Sequence, residues 1–365
     1  MKIKLSKVTV HSFKNFHEMT YKVGSGQLYG RSGEGKSNLL NAIAACFVNS
    51  GMDGHKIAPL TNGATSGWVK IDYEIDGESQ ETYRTWAKTD TGCTSASSLG
   101  RTLNKSLFLA IANPMYVFEL DNSERIDFVI ELNYYDFNND LASELGDDLP
   151  VEVVDFIKEI DKVTLSKLRG FAKAARSEMK SDISNKTLLE SQLMILEDVN
   201  GVDDLVSDLT AQAVLIDANI QKNQRIIRII DKINAILLNN SISKINSALA
   251  ATRFQEDGRL TFCDLSIEQM SSGEKLDCGL ELANYVAGRY DFVPPTLIDN
   301  ITALGHHNIE KNDFPNLSQI ITTSFADVDL CEYSNETLYG LDKSWKQKVS
   351  TTFRPEVQIE LYPMS

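Results

Sequence analysis

The chain has 365 residues, 42% of them hydrophobic and 24% charged, and a formal net charge of −15. It is about twice the size of one ordinary domain, which predicts two domains or one large domain carrying an insertion. That balance excludes a disordered, collagen-like or low-complexity protein, and the acidic total argues against attraction of nucleic acid to the whole surface.

The acid is unevenly spread. Residues 1–50 hold seven Lys/Arg against two acids, while residues 51–150 are strongly acidic. No run approaches the about 18 to 20 apolar residues that a membrane span needs. The opening MKIKLSKVTVHSF alternates polar and apolar residues, which reads as a strand and not as a signal peptide. A soluble, cytoplasmic protein without a membrane partner is expected. The five cysteines are odd in number, far apart and free of any CxxC pair, so reduced thiols are expected, not a disulfide framework or zinc site.

Taken in chain order, residues 2–10 predict a strand, and residues 26–29 a short one that runs into a glycine-rich turn. Residues 37–48 have apolar side chains at helical spacing. Residues 68–75 and 81–87 alternate and flank Asp76-Gly77, a hairpin signal. Residues 106–112 form an apolar run that predicts another strand, and residues 123–145 turn helical. After the middle of the chain, residues 259–264, 296–299 and 319–323 predict strands, with a helix over 274–286. Residues 357–362 alternate and predict a closing strand.

The middle carries the clearest period. From Leu205 to Leu237, positions spaced alternately by four and three form a seven-residue repeat sustained for more than four heptads, and residues 165–196 follow the same rule. Asn200-Gly201 lies between the two runs and suits a reversal of direction. Folding the runs together pairs Leu196 with Leu205 and Leu165 with Leu237. It also brings Asp182 near Asn219, a polar layer that fixes register at some cost in stability. An antiparallel hairpin with arms of about 50 Å is expected. It would occupy residues 161–244 and interrupt one α/β domain whose halves are 1–160 and 245–365.

Three segments carry chemistry. Gly30-Arg31-Ser32-Gly33-Glu34-Gly35-Lys36-Ser37 matches G-x-x-x-x-G-K-[ST]. Its glycines let backbone N–H groups surround phosphate oxygens, Lys36 reaches the β/γ-phosphates, and the Ser37 hydroxyl takes Mg²⁺. The helix continuing through Asn38 aims its positive end at the same anion. Met270-Ser271-Ser272-Gly273-Glu274 opens an apolar helix; taken alone, Ser-Ser-Gly followed by Glu is also an ordinary helix start. Pro295-Thr296-Leu297-Ile298-Asp299 is a short apolar run ending in a carboxylate, where P-loop proteins hold Mg²⁺. Taken alone, Asp299 reads equally well as a helix cap or turn residue.

The order of phosphate loop, hairpin, Ser-Gly-Glu helix start and strand with Asp resembles the ABC-type ATPase heads of the SMC, RecF and SbcC proteins, in size most like their short phage and mobile-element relatives. The resemblance covers nearly the whole chain. It implies a P-loop ATPase head, a mixed sheet plus a β-rich lobe, interrupted by the coiled-coil hairpin. Ser12-Phe13-Lys14-Asn15-Phe16 resembles the family's F-[RK]-N-F turn, whose basic residue, here Lys14, approaches the phosphates. Met270 to Glu274 resembles the signature motif L-S-G-G-[EQ], with Ser272 for its first glycine. Residues 296–299 resemble Walker B. Asn113-Pro114-Met115, followed by Ser123-Glu124-Arg125, resembles the Q-loop segment, which makes Asn113 a metal contact. In such heads Ser271, Gly273 and Glu274 close over ATP held by a second copy, so the resemblance implies ATP and Mg²⁺ as cofactors, a homodimer around the nucleotide, and DNA as a partner in repair, recombination or phage genome processing.

Three positions depart from that family. Asn300 follows Asp299 where a Glu orients or deprotonates the attacking water. Thr323-Ser324 stands where a switch histidine is expected, and Asn113 is one methylene shorter than the usual Gln. Asn cannot act as a base, though its amide can position water, so catalysis by Lys36, Asp299 and Asn300 is expected to be slow. The alternative is a nucleotide-gated scaffold or sensor that positions a partner nuclease or toxin. A transporter ATPase subunit fits less well, since such subunits lack a coiled coil between phosphate loop and signature. The pair His306-His307 has no Cys or carboxylate at ligand spacing and reads as a solvated loop.

Overall fold

A computed structural model describes residues 1–23, 26–30, 33, 35–135, 139–146, 149–196, 202–301, 313–325 and 331–333. They fall into two units, one formed by residues 1–128 with 245–365 and the other by residues 129–244.

The first unit begins with β1 (Ile3–Phe13) and β2 (Phe16–Lys22), followed by β3 (Gly26–Gly30), α1 (Lys36–Val48), β4 (Ser66–Ile75), β5 (Glu78–Thr89) and β6 (Gly92–Ser97). Strands β2-β1-β4-β5-β6 form one sheet, antiparallel at each pairing. Its alternating strands turn Val8, Val10, Phe13, Val69, Ile71 and Tyr73 inward, the pattern of a sheet with one buried face. Asp76 and Gly77 both have positive φ, 53° and 89°, as a type I′ hairpin requires. In β1 the register against β4 slips between Leu5 and Lys7. Beside the slip the buried Gln319 side chain accepts from Leu5 N at 2.8 Å and donates to Leu5 O at 3.3 Å, so both backbone groups remain satisfied.

Helix α1 is apolar around most of its circumference, and Leu39, Leu40, Ala42, Ile43, Ala44, Ala45, Cys46 and Phe47 are all buried. A helix of that kind belongs inside the unit. Next come α2 (Lys105–Ala112), α3 (Tyr116–Glu119) and the start of α4 (Asn122–Tyr134). Residues 106–112, expected as a strand, are helical. Asn104 caps the helix by accepting from Leu107 N at 3.0 Å, and Leu107 to Ala112 are all buried, so no periodicity marks them as helix. The second unit holds the rest of α4, α5 (Val151–Lys158), α6 (Leu165–Leu196) and most of α7 (Asp203–Ala248).

After α7 the chain re-enters the first unit through β7 (Thr252–Phe254), β8 (Leu260–Phe262) and β9 (Leu265–Ser266), then α8 (Ser272–Ala287), β10 (Thr296–Ile298), β11 (Ile320–Phe325) and β12 (Cys331–Tyr333). A four-stranded sheet has the order β10-β11-β3-β12, parallel at the first two pairings and antiparallel at the third. Each parallel strand therefore ends at the same edge, where α/β sheets present ligand-binding residues.

Two contacts lock the unit's elements. Buried Arg125 donates to Val117 O at 3.2 Å, Asn122 Oδ1 at 2.7 Å and Gly258 O at 3.2 Å, tying α4 to the turn before β8. Gly279 in α8 leaves no room for a methyl group: a Cβ there would lie 1.9 Å from Pro114 O.

In the second unit, residues 129–160 cluster with the long helices and not with the N-terminal half. Side chains explain it. Glu131 pairs with Arg169 of α6, Glu152 with Lys232 of α7, and Glu144 with Lys244 at 2.8 Å, while Asn240 donates to Glu144 O at 2.8 Å. The seam of α6 and α7 buries Leu168, Ala172, Ala175 and Leu189 on one helix and Leu209, Ile230, Ile233 and Leu237 on the other. Cross-hairpin polar contacts join Lys186 to Asp217 at 2.7 Å and Asn223 to Glu178 at 3.3 Å, close to the expected antiparallel register. The Asn200-Gly201 turn, His306-His307 and residues 357–362 lie outside the described residues. No helix among the described residues is long and apolar enough to cross a membrane.

Candidate nucleotide site

Strand β3 ends at Gly30, and α1 begins at Lys36. Between them, Gly33 and Gly35 take φ of 86° and 95°, a region glycine enters at no steric cost. Gly35 also has no space for a side chain, because a Cβ would lie 2.7 Å from both Asn15 Nδ2 and Phe16 Cζ. The turn between β1 and β2 thus presses directly against the phosphate loop. Asn15 fastens it there by accepting from Asn38 Nδ2 at 2.8 Å.

A cavity of about 390 Å³ opens at this point, lined by Gly33, Gly35, Lys36, Ser37, Asn38, Asp299 and Asn300. Residues separated by more than 260 positions in sequence meet here because β3 and β10 flank β11 as parallel neighbours in one sheet. Asp299 follows the buried strand β10 and is held by the neighbouring strand: Thr323 Oγ1 donates to Asp299 Oδ1 at 2.5 Å. The same hydroxyl accepts from Asn300 N at 2.7 Å, so it uses its donor and an acceptor on adjacent residues. Asn300 has φ of 52°, the left-handed region where Asn is several-fold enriched among non-glycine residues.

The cavity fits a magnesium nucleotide. Its loop glycines leave the backbone room to wrap an anion, Lys36 supplies positive charge, and the Ser37 hydroxyl and Asp299 carboxylate are hard oxygen ligands of the kind Mg²⁺ prefers. Among the described residues no cluster of three or more His, Cys, Asp or Glu could hold a different metal. Buried Cys46 and Cys278 have thiols pushed up to about 12, chiefly by burial, and so stay protonated and unreactive.

Other residues singled out in the sequence lie elsewhere. Ser32 and Glu34 fall outside the described residues. Lys14 has φ of 50° and donates its N–H to Pro59 O at 2.7 Å; it is Asn15 of that turn whose side chain meets the phosphate loop. Asn113 does not line the cavity. Its amide donates to Met52 O at 2.8 Å and accepts from Met115 N at 3.0 Å. Ser271, Gly273 and Glu274 also stand apart, at the start of α8. Ser271 N donates to Glu274 Oε2 at 2.7 Å and Ser271 Oγ accepts from Glu274 N at 3.3 Å, a complete capping box. Hydrogen bonding from Ser271, chiefly from its backbone N–H, holds the Glu274 carboxyl below its usual pKa.

Thr323 carries no motif in the sequence: its role comes from the pairing of β11 with β10, which puts its hydroxyl beside Asp299.

No protein-family model matches the chain, and no curated protein matches it in sequence. Among solved structures it is similar to the recombination mediator protein RecF with ATP, in the RecFOR pathway, at a TM-score of 0.45 and 14% identity over 91% of this chain and 94% of that one. It is likewise similar to the Smc head domain of Pyrococcus furiosus bound to the C-terminal domain of ScpA, at 0.41 and 15% over 92% and 98%. A third likeness is to the SMC head domain of Thermotoga maritima, at 0.33 and 14% over 89% of each chain. These are likenesses of fold; what the site can do follows from its own residues.

Proposed function

We propose that the chain is an ATP-binding head of SMC/RecF type that hydrolyses ATP slowly, pairs with a second copy around the nucleotide and acts on DNA. One observation carries the nucleotide part: a single cavity gathers the left-handed glycine loop, Lys36 and Ser37 with a strand-end carboxylate, Asp299, from the far end of the sequence. Lys36 binds the β/γ-phosphates, and Ser37 and Asp299 hold Mg²⁺, which when bound neutralises charge on the phosphate oxygens. Thr323 fixes the Asp299 carboxylate. Asn300 orients a water through its amide and takes no proton, which is the reason turnover is slow.

Pairing is supported by the exposed α8 start. Ser271 and Gly273 stand outside their own chain's cavity, as a motif that closes over a partner's nucleotide must. DNA rests on the resemblance of the motif order. Asn300 in the cavity also favours a second reading, a nucleotide-gated scaffold that positions a partner nuclease or toxin with almost no hydrolysis.

ATP turnover and molecular mass, measured with and without DNA and with Lys36→Ala as the blank, separate these readings. DNA-stimulated turnover abolished by Lys36→Ala supports the ATPase. A stable ATP-dependent dimer with negligible turnover selects the scaffold. Absence of both ATP binding and dimerisation rejects the site.

A further inference from the structure

A second cavity, of about 460 Å³, opens at the other end of α1, beside Phe47 and Val48. The thirteen residues of α1 place it about 18 Å along the helix axis from the phosphate loop. Its ionisable lining consists of Arg84 and Arg101 alone, with no carboxylate, on a chain whose net charge is −15. Leu99 and Leu103 join Phe47 and Val48 as apolar walls.

Both guanidiniums are held in place with donors to spare. Arg84 caps the end of α1, donating from Nε to Cys46 O at 3.0 Å and from Nη2 to Phe47 O at 3.2 Å. Of five guanidinium N–H groups, three then have no acceptor among the described residues. Burial lowers the Arg84 pKa, the signature of a cation short of solvent. Arg101 lies face-on to Phe292, its Cζ 4.0 Å from the ring centroid. Phe292 is buried and packs against Phe47 and Phe108, with ring centroids 5.7 and 6.5 Å away. Stacking engages the face of the guanidinium and leaves its edge open. Among the described residues Arg101 makes no hydrogen bond or ion pair, so all five of its N–H groups are available.

We propose that this cavity binds a small organic phosphate monoester, its phosphate between Arg84 and Arg101 and its organic body against Phe47, Val48, Leu99 and Leu103. The volume is that of a small-ligand site. A monoester carries about −1.5 to −2 charge at pH 7 and three acceptor oxygens, which matches two cations with eight open N–H groups. A nucleic-acid backbone phosphate is a diester with one charge and two free oxygens, and leaves one of the two cations without a counter-charge.

The test titrates phenyl phosphate into the full chain carrying Lys36→Ala, which weakens the phosphate loop, by isothermal calorimetry at low salt. Arg101→Ala in that background is the decisive variant. Arg101 is exposed, so its loss leaves the fold intact, and a thermal melt verifies this. Expected are one phenyl phosphate per chain, at least tenfold weaker binding after Arg101→Ala, and weaker binding of dimethyl phosphate than of phenyl phosphate. Affinity unchanged by Arg101→Ala overturns the proposal, as does the absence of any binding heat at millimolar phenyl phosphate. Arg101-dependent binding of dimethyl phosphate or a single-stranded oligonucleotide as tight as that of phenyl phosphate overturns it in favour of nucleic acid. The result is independent of the nucleotide reading, since Lys36 is absent throughout.

Discussion

Thr323 shows how one hydroxyl can position a carboxylate. It donates to Asp299 and accepts from Asn300 N, and it is fully buried in β11. Thr323→Val keeps the shape and removes both bonds, leaving the partly buried Asn300 N–H and an Asp299 carboxylate oxygen without their partner. Such a loss costs about 1 kcal/mol. Mg²⁺·ATP affinity should fall about tenfold, equivalent to about 1.4 kcal/mol, with Thr323→Ser close to the parent protein. Titration with a fluorescent ATP analogue at fixed Mg²⁺ measures it; equal affinity in the Val variant would show that Asp299 needs no such support. Asn300 is a different case. Its left-handed φ suits Asn, and a longer side chain without a local hydrogen bond pays about 1–2 kcal/mol there. The missing Glu is therefore matched by a backbone that does not favour Glu.

At the scale of elements, α8 is placed by what it lacks. A Cβ on Gly279 meets Pro114 O at 1.9 Å and Pro114 C at 2.6 Å, backbone atoms that cannot step aside. Gly279→Ala should destabilise the first unit by about 3 kcal/mol, the upper part of the usual overpacking range, and shift the start of α8. A lowered thermal midpoint checks it, and an unchanged midpoint would mean that the helix slides freely. In the second unit, Glu144 and Lys244 make a pH-sensitive bond. The hydrogen bond from Lys244 holds the Glu144 carboxyl below its usual 4.5, and the same bond raises Lys244 above its usual 10.5. The Glu144 contribution is fully present above pH 4.5 and is lost as pH falls through the lowered folded value. The Lys244 contribution is present below 10.5 and is lost as pH rises through the raised one. Both groups are partly exposed, so the effect is modest. The urea midpoint of helical circular dichroism should drop less steeply below pH 4.5 in Glu144→Gln than in the parent; identical slopes would assign the acid sensitivity to other carboxylates.

For the whole molecule, legibility followed the range of the interactions. The phosphate loop, the Asp76-Gly77 hairpin and the seams of α6 and α7 were readable because each is written in neighbouring residues or in one period. Residues 106–112 look like a strand in sequence because burial on every side of α2 erases the helical period. The grouping of 129–160 with the long helices depends on pairs such as Glu152 with Lys232, eighty positions apart, which no local pattern announces. The role of Thr323 needed β10 and β11 as neighbours. What joins the parts is the sheet order β10-β11-β3, which brings the Asp at one end of the chain to the loop at the other.

That assembled cavity leaves the start of α8 exposed, and the proposed dimer turns on it. The capping box is internal: Ser271 and Glu274 satisfy each other's backbone, so the helix start needs no partner to fold. A bulky cation there should therefore spare the monomer and block only the docking of a second copy. Ser271→Arg is the sharper variant, since it replaces the side chain that would approach the partner's γ-phosphate and costs about 1 kcal/mol as a lost cap. Nucleotide binding by each chain should persist at parental affinity, and the shift in mass on adding ATP should vanish. Light scattering beside ATP titration reads both. An ATP-dependent dimer that survives Ser271→Arg would place the pairing surface somewhere other than α8, while loss of ATP binding itself would mean that this helix start serves its own chain's cavity after all.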